Sequence, residues 1–214
     1  MSAPSSDGAG AQETLDGIRA LLVRQERDAP WALGLTLLGL SKRLRIAESA
    51  LHPLLRSFVE EGRIVFRSGY YATPGFAPDL SEEQRIFFAQ HLPDARSANA
   101  PVSVAEVAAE MKASKITGIA QAFDTLVEIG AIVQIGADLY RYAQIERLQH
   151  QVARALAQRP RMTVAELRDL IGISRKHVVP LLEWFDRIGL TVREGDYRLA
   201  STITIPENAP LTPD

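Results

Sequence analysis

The sequence predicts a mostly helical chain with small β-hairpins, an α+β class, in which one unit is used three times. Three observations carry this. First, a helix-opening phrase recurs, with Ser103-Val104-Ala105-Glu106-Val107 answered further along by Thr163-Val164-Ala165-Glu166-Leu167. Second, a single ungapped register pairs Thr36, Leu40, Leu44, Ile46, Pro53, Leu54, Leu55, Phe58 and Gly62 with Thr163, Leu167, Ile171, Ile173, Pro180, Leu181, Leu182, Phe185 and Gly189. Third, Gly62, Gly130 and Gly189 are each followed by a short stretch of strand character, a turn and a second such stretch. Self-similarity of this kind marks repeated supersecondary units.

Each element follows from a local rule. Residues 1–10 read as a flexible tail, and so do residues 201–214, where Pro206, Pro210 and Pro213 block regular structure. A first helix in each repeat is predicted by apolar residues at helical spacing: Leu15, Ile18 and Leu22, then Ile86, Phe87 and Leu92, then Ile145, Leu148, Val152 and Leu156. Ser81-Glu82-Glu83-Gln84 opens the second of these as a capping box. A short second helix starts at Ser103 or Thr163, whose hydroxyl takes a backbone N–H while the glutamate three residues on reciprocates. Ser114-Lys115 and Ser174-Arg175 read as N-caps of a longer third helix. That helix ends at a glycine suited to the left-handed C-terminal cap. Turns at Ser68-Gly69, Gly136-Ala137 and Glu194-Gly195 then close hairpins. Three helices and a hairpin make the winged-helix form of the helix-turn-helix. The expected organisation is therefore three tandem winged-helix domains in an elongated array, at residues 11–76, 77–142 and 143–200.

Composition narrows the chemistry. The 214 residues are 46% hydrophobic and 23% charged, as in a globular chain able to bury a core. With no cysteine, disulfides, zinc fingers and iron–sulfur clusters are excluded. His52, His91, His150 and His177 are dispersed without ligand spacing, so no metal and no cofactor is expected. Motifs of the phosphate loop, nucleophile elbow and zincin types are missing, and Glu60-Glu61 reads as a solvated helix end, so the chain is not expected to be an enzyme. The start has no secretory pattern, and the apolar stretch from Trp31 to Leu40 is far short of the roughly 20 residues of a membrane span. A cytoplasmic protein without a membrane partner is expected.

The net charge of -2 conceals an asymmetry. Residues 11–76 hold 9 basic and 7 acidic side chains, residues 77–142 hold 5 and 9, and residues 143–200 hold 10 and 7. A polyanion would thus favour the third repeat. Its candidates are Ser174, Arg175, Lys176 and His177 at the opening of the third helix, where free N–H groups also attract phosphate. Arg193 and Arg198 beside the hairpin turn, and Arg161 and Arg168 around the second helix, complete the set. Solvated surface charge is the alternative for each. Trp184 suits packing against a neighbour, or stacking on a base. Pro53 and Pro180, inside their third helices, are either tolerated kinks or devices that re-aim the first turn.

The run from Gly172 to Gly189, with Ser174-Arg175-Lys176, Leu181-Leu182-Glu183 and Phe185-Asp186-Arg187, followed by Thr191, Arg193, Gly195-Asp196 and Arg198-Leu199, resembles the C-terminal winged helix of the bacterial selenocysteine-specific elongation factor family, SelB. The similarity extends weakly through the other repeats. In that family a GTPase part carrying selenocysteyl-tRNA is followed by four winged helices, the last of which grips a hairpin in the selenoprotein message. The resemblance implies that residues 143–200 bind such an mRNA hairpin through Arg175, Lys176, Arg193 and Arg198, with the first two repeats as a spacer arm. No GTPase motif is present, so ribosome and selenocysteyl-tRNA would be reached only through a GTPase part elsewhere, and the chain reads as a monomeric C-terminal part or a separately encoded half. A DNA-binding regulator and a protein-interaction scaffold stand as alternative uses of the same fold.

Overall fold

The computed structural model describes residues 6–92 and 99–201. It is a mixture of helices and small antiparallel sheets, and the chain divides between Glu82 and Glu83 into two compact units.

In the first unit, α1 (Ser6–Asp28) is followed by β1 (Leu35–Thr36), α2 (Leu37–Leu44), α3 (Glu48–Glu60), β2 (Val65–Arg67) and β3 (Tyr70–Ala72). The start differs from expectation. Residues 6–10 are helical, no proline interrupts the chain between Ser6 and Ala29, and the Thr14 hydroxyl donates to the Gly10 carbonyl at 2.9 Å. The rest of the expected N-terminal tail, residues 1–5, lies outside the described residues, as does the C-terminal tail beyond Ser201. Leu15, Ile18 and Leu22 are fully buried against Leu40, Leu51, Leu55 and Phe58. Glu26 ties α1 to the end of the sheet by accepting from the Thr73 N–H and hydroxyl, both at 2.7 Å.

The sheet is three-stranded in the order β1-β3-β2, where the sequence predicted a hairpin alone. With only Leu35 and Thr36, β1 is too short to show alternation, yet it pairs Leu35 with Tyr71 and Thr36 with Tyr70. The approach depends on Gly34, which has φ +131° and where an added Cβ would lie 2.1 Å from the Tyr71 carbonyl oxygen. Gly34→Ala is therefore expected to destabilise this unit by at least ~2 kcal/mol in calorimetry. A loss below ~0.5 kcal/mol would show that β1 can leave the sheet without consequence.

The second unit holds two further rounds of the same order. The first has α4 (Glu82–His91), β4 (Val102–Ser103), α5 (Val104–Ala113), α6 (Ile119–Glu128), β5 (Ile132–Ile135) and β6 (Asp138–Arg141). The second has α7 (Tyr142–Gln158), β7 (Arg161–Thr163), α8 (Val164–Ile171), α9 (Arg175–Arg187), β8 (Thr191–Glu194) and β9 (Tyr197–Ala200). Both sheets repeat the first pattern, β4-β6-β5 and β7-β9-β8. The ungapped sequence register maps α2 onto α8 and α3 onto α9 end to end. Gly62 and Gly189, at φ 68° and 78°, close the third helices in the same way. The N–H of the residue after each glycine reaches back into the last helical turn, Arg63 to Phe58 O at 2.8 Å and Leu190 to Phe185 O at 2.9 Å.

The middle repeat departs most from expectation. Ser114 does not cap the next helix. It ends α5 in an extended conformation, its hydroxyl donating to Met111 O at 3.0 Å, and α6 begins only at Ile119 after Gly118 at φ 68°. As a result α6 is no longer than α5, at 10 residues each. On α4, Ile86 is 48% exposed while Gln84, Phe87 and Phe88 are buried, because the inward stripe runs at 84, 87 and 88.

The expected boundary at 142/143 does not divide the structure either. Tyr142 opens α7 directly from β6, and Val133, Ile135 and Tyr140 belong to the same apolar core as Ile145, Leu148, Leu167, Val178, Leu182 and Phe185. Burial, with the Asp138 carboxylate nearby, pushes the Tyr140 phenol well above its ordinary value. Trp184 is 3% exposed in this core with its ring 5.6 Å from that of Phe185, so it packs and is not offered to a base. Among the described residues no helix is long and apolar enough to cross a membrane.

Candidate nucleic-acid interface

The opening of α9 is shaped by the residues just before it. Thr163 and Glu166 cap α8 reciprocally, and the Thr163 N–H and hydroxyl, with help from Arg159, hold the Glu166 carboxyl below its ordinary value. α8 ends at Gly172 in the left-handed region, with its N–H on Arg168 O at 2.8 Å. Ile173 then turns inward and Ser174 sits extended at the N-cap of α9. The Ser174 hydroxyl makes no cap hydrogen bond; the His177 and Val178 N–H groups donate to Ser174 O at 3.0 Å, and the N–H groups of Arg175 and Lys176 are left for an acceptor from outside. Arg175 and Lys176 are exposed, and among the described residues neither side chain has an ion-pair or hydrogen-bond partner. Pro180, inside α9, cannot donate to the Lys176 carbonyl one turn back.

The eight predicted residues fall into distinct settings. Ser174, Arg175 and Lys176 form the open helix start. Arg193 is exposed on β8 and its Nε donates to Gly195 O at 3.2 Å, which lays the side chain along the hairpin turn. Arg161 is exposed on β7 with its guanidinium carbon 4.9 Å from the centre of the Tyr197 ring, a cation–π contact. Arg168 is exposed but engaged, with Nη2 2.6 Å from Asp169.

Two of the eight are engaged with carboxylates inside the protein. His177 is half-buried and its Nδ1 lies 2.7 Å from Asp138 Oδ2, so it links α9 to β6. Arg198 is only 3% exposed, and its Nε forms an ion pair with Asp186 Oδ2 at 2.8 Å. Asp186 also accepts from the Thr191 hydroxyl at 2.6 Å, so one carboxylate in the last turn of α9 fastens both strands of the hairpin. Position beside the turn suggested an exposed arginine. The side chain instead points at the helix.

Tyr197 was not singled out from the sequence. It is 38% exposed on β9 beneath Arg161, and an aromatic residue beside a Gly-containing turn on a strand edge was the available signal.

The family model for the winged helix of elongation factor SelB matches residues 154–200, which run from the later part of α7 to the end of β9. Selenocysteine-specific elongation factors are similar over most of the chain. That of Escherichia coli (strain K12) is 31% identical over 161 residues, covering 72% of this chain and 25% of its own length. That of Desulfomicrobium baculatum is 24% identical over 152 residues, covering 69% and 24%. The chain thus spans about a quarter of the length of these relatives. Among solved structures, bacterial selenocysteine-specific elongation factor EF-Sec shares the fold at TM-score 0.60 and 18% identity, over 89% of this chain and 30% of that one. The mRNA-binding domain of E. coli SelB, solved in complex with SECIS RNA, aligns at TM-score 0.44 and 26% identity, over 57% of this chain and 99% of that one. On these grounds the chain carries a winged-helix region of the SelB family, with residues 154–200 as its matched core.

Proposed function

We propose that this chain is the RNA-binding arm of a selenocysteine-specific elongation factor and holds an mRNA hairpin of the selenocysteine insertion type. The observation that carries the reading is the pair Arg175-Lys176, exposed and unpartnered among the described residues at the open start of α9, inside the segment that matches the SelB winged helix. Arg193 and the Arg161–Tyr197 pair on the sheet supply further cationic and aromatic surface. RNA helices hide their base edges in a deep groove, so a small module recognises backbone shape and a few unstacked loop bases. A helix start and a basic hairpin suit that task.

In this reading each of the three helix–sheet rounds is a winged-helix domain, and residues 11–142 give reach to the third. The chain acts as a monomer in the cytoplasm without a cofactor of its own. GTP hydrolysis and selenocysteyl-tRNA delivery belong to a GTPase part.

Titration of the full chain with a selenoprotein-type hairpin, its loop mutant and duplex DNA tests the proposal. The expected order is hairpin first, with affinity falling as salt rises through counterion release. Preference for duplex DNA would replace it with a DNA-binding regulator, and binding to none of the three would favour a protein scaffold.

A further inference from the structure

The turn that carries Arg175 and Lys176 is held at both ends by side chains of the preceding round. At the end of α8, Arg168 O accepts from the Gly172 N–H at 2.8 Å, Leu170 O from the Gln151 amide at 2.8 Å, and Ile171 O from the Asn99 amide. Asn99 lies just before β4 in the middle round, and its Oδ1 accepts from Arg147 Nη2 at 2.9 Å, which fixes the way its amide faces. At the other end of the turn, in the first turn of α9, His177 Nδ1 lies 2.7 Å from Oδ2 of Asp138 on β6. A carboxylate only accepts, so the imidazole donates. Asp138 is 8% exposed. Between the two anchors Ile173 turns inward, while Gly172, Ser174, Arg175 and Lys176 are exposed.

The shared apolar core does not fix this pose alone. Val133, Ile135 and Tyr140 pack in one core with Val178 and Leu182 of α9, but apolar burial is non-directional and leaves a helix room to slide or turn. Hydrogen bonds, with a preferred length and angle, remove that freedom. Nor does the winged-helix core require the imidazole. In the register that pairs Thr36 with Thr163, His177 falls on Ala50, and in the one that pairs Ser114 with Ser174 it falls on Thr117. The same registers place Glu48-Ser49 and Lys115-Ile116 where the third round has Arg175-Lys176. The anchoring histidine thus occurs in the round whose third helix opens on adjacent cations.

We propose that Asn99 and the Asp138–His177 pair are positioning residues for RNA binding, through which the middle round sets the pose in which the third presents Arg175 and Lys176 to the phosphate backbone. The inference rests on the RNA reading above and gives the middle round a part beyond reach. These side chains act through the turn, without touching RNA.

The sign of the Asp138→Ala effect separates this role from plain electrostatics. Removing a negative charge beside a polyanion site would by charge alone tighten binding, whereas loss of the pose weakens it. In titrations of the full chain with the minimal hairpin, below the melting temperature of each variant, Asp138→Ala and Asn99→Ala each weaken binding about tenfold, the scale of one hydrogen bond lost. Asp138→Asn still accepts from the imidazole and keeps affinity within about twofold of the unaltered chain. In an Arg175→Ala/Lys176→Ala background, Asp138→Ala leaves the residual affinity unchanged, because its effect passes through those two side chains. Hydrogen exchange over residues 172–178 of the RNA-free chain reads the pose directly, speeding up about tenfold in Asp138→Ala and Asn99→Ala and returning in Asp138→Asn. If Asp138→Ala melts too low to titrate, Asn99→Ala carries the binding test. Unchanged or tighter binding by the alanine variants, an undiminished loss in the cation-free background, or unchanged exchange would overturn the positioning role. Failure of the unaltered chain to bind the hairpin would instead sink the RNA reading, and the exchange rates would still report whether the two anchors hold the turn.

Discussion

Asp186→Ala is expected to cost about 3–5 kcal/mol of stability in the second unit. The reason is what it leaves behind. Arg198 is 3% exposed, and Asp186 Oδ2, 2.8 Å away, is the carboxylate that compensates its charge. Removing the carboxylate strands a guanidinium in a low-dielectric site and also leaves the buried Thr191 hydroxyl without its acceptor at 2.6 Å. Asp186→Asn, which keeps an acceptor for Thr191, should cost less. Arg198→Met should also cost less, because the Asp186 side chain is 23% exposed and water can reach it. The double variant should recover much of the loss, since a buried ion pair is often worth no more than apolar groups of similar volume. Urea unfolding followed by Trp184 fluorescence in a Trp31→Phe background reads the affected unit directly. A loss under ~1 kcal/mol would mean that Arg198 swings out to solvent, which would return it to the set of residues able to touch RNA.

Arg175→Ala/Lys176→Ala should weaken hairpin binding by about a hundredfold, taking about tenfold for each charged contact to phosphate. The slope of log affinity against log salt should become shallower by about two, because two fewer counterions are released. Stability should hold within ~0.5 kcal/mol, as both side chains are exposed and make no ion pair or hydrogen bond among the described residues. Arg175→Lys separates two kinds of contact: a forked contact would lose most of its worth, while a simple charge contact would not. Lys115→Ala, in the loop before α6, is the matched control and should change nothing. Unchanged affinity with a lowered melting temperature would assign Arg175 and Lys176 a structural part and remove the main support for the RNA grip.

How much of this was legible in the sequence depends on how local the determining physics is. Capping boxes at Ser103 and Thr163, and the helix ends at Gly62 and Gly189, are settled by three or four neighbouring residues, and they formed as expected. The strands β1, β4 and β7 were not legible, because they are two or three residues long and, unlike the equally short β2 and β3, are not joined to a neighbouring strand by a glycine-containing turn. Ser114 shows the limit of reasoning by repeat, since matching positions need not share conformation when the intervening loop differs in length. The candidate site divides along the same line. Arg175 and Lys176 follow a helix start and are exposed as that position implies. His177 and Arg198 were claimed by Asp138 and Asp186, acids well removed along the chain, whose approach is decided by tertiary packing.

The unbroken passage from β6 into α7 has a practical consequence for anyone who trims this protein. A polypeptide begun at Tyr142 would shed Val133, Ile135 and Tyr140, and with them one wall of its own interior, while His177 would lose Asp138. Such a piece would expose sticky surface and aggregate, and proteases would find no cleavable seam at that point. The smallest well-behaved fragment for crystallisation or titration starts near Glu83 and keeps both rounds together.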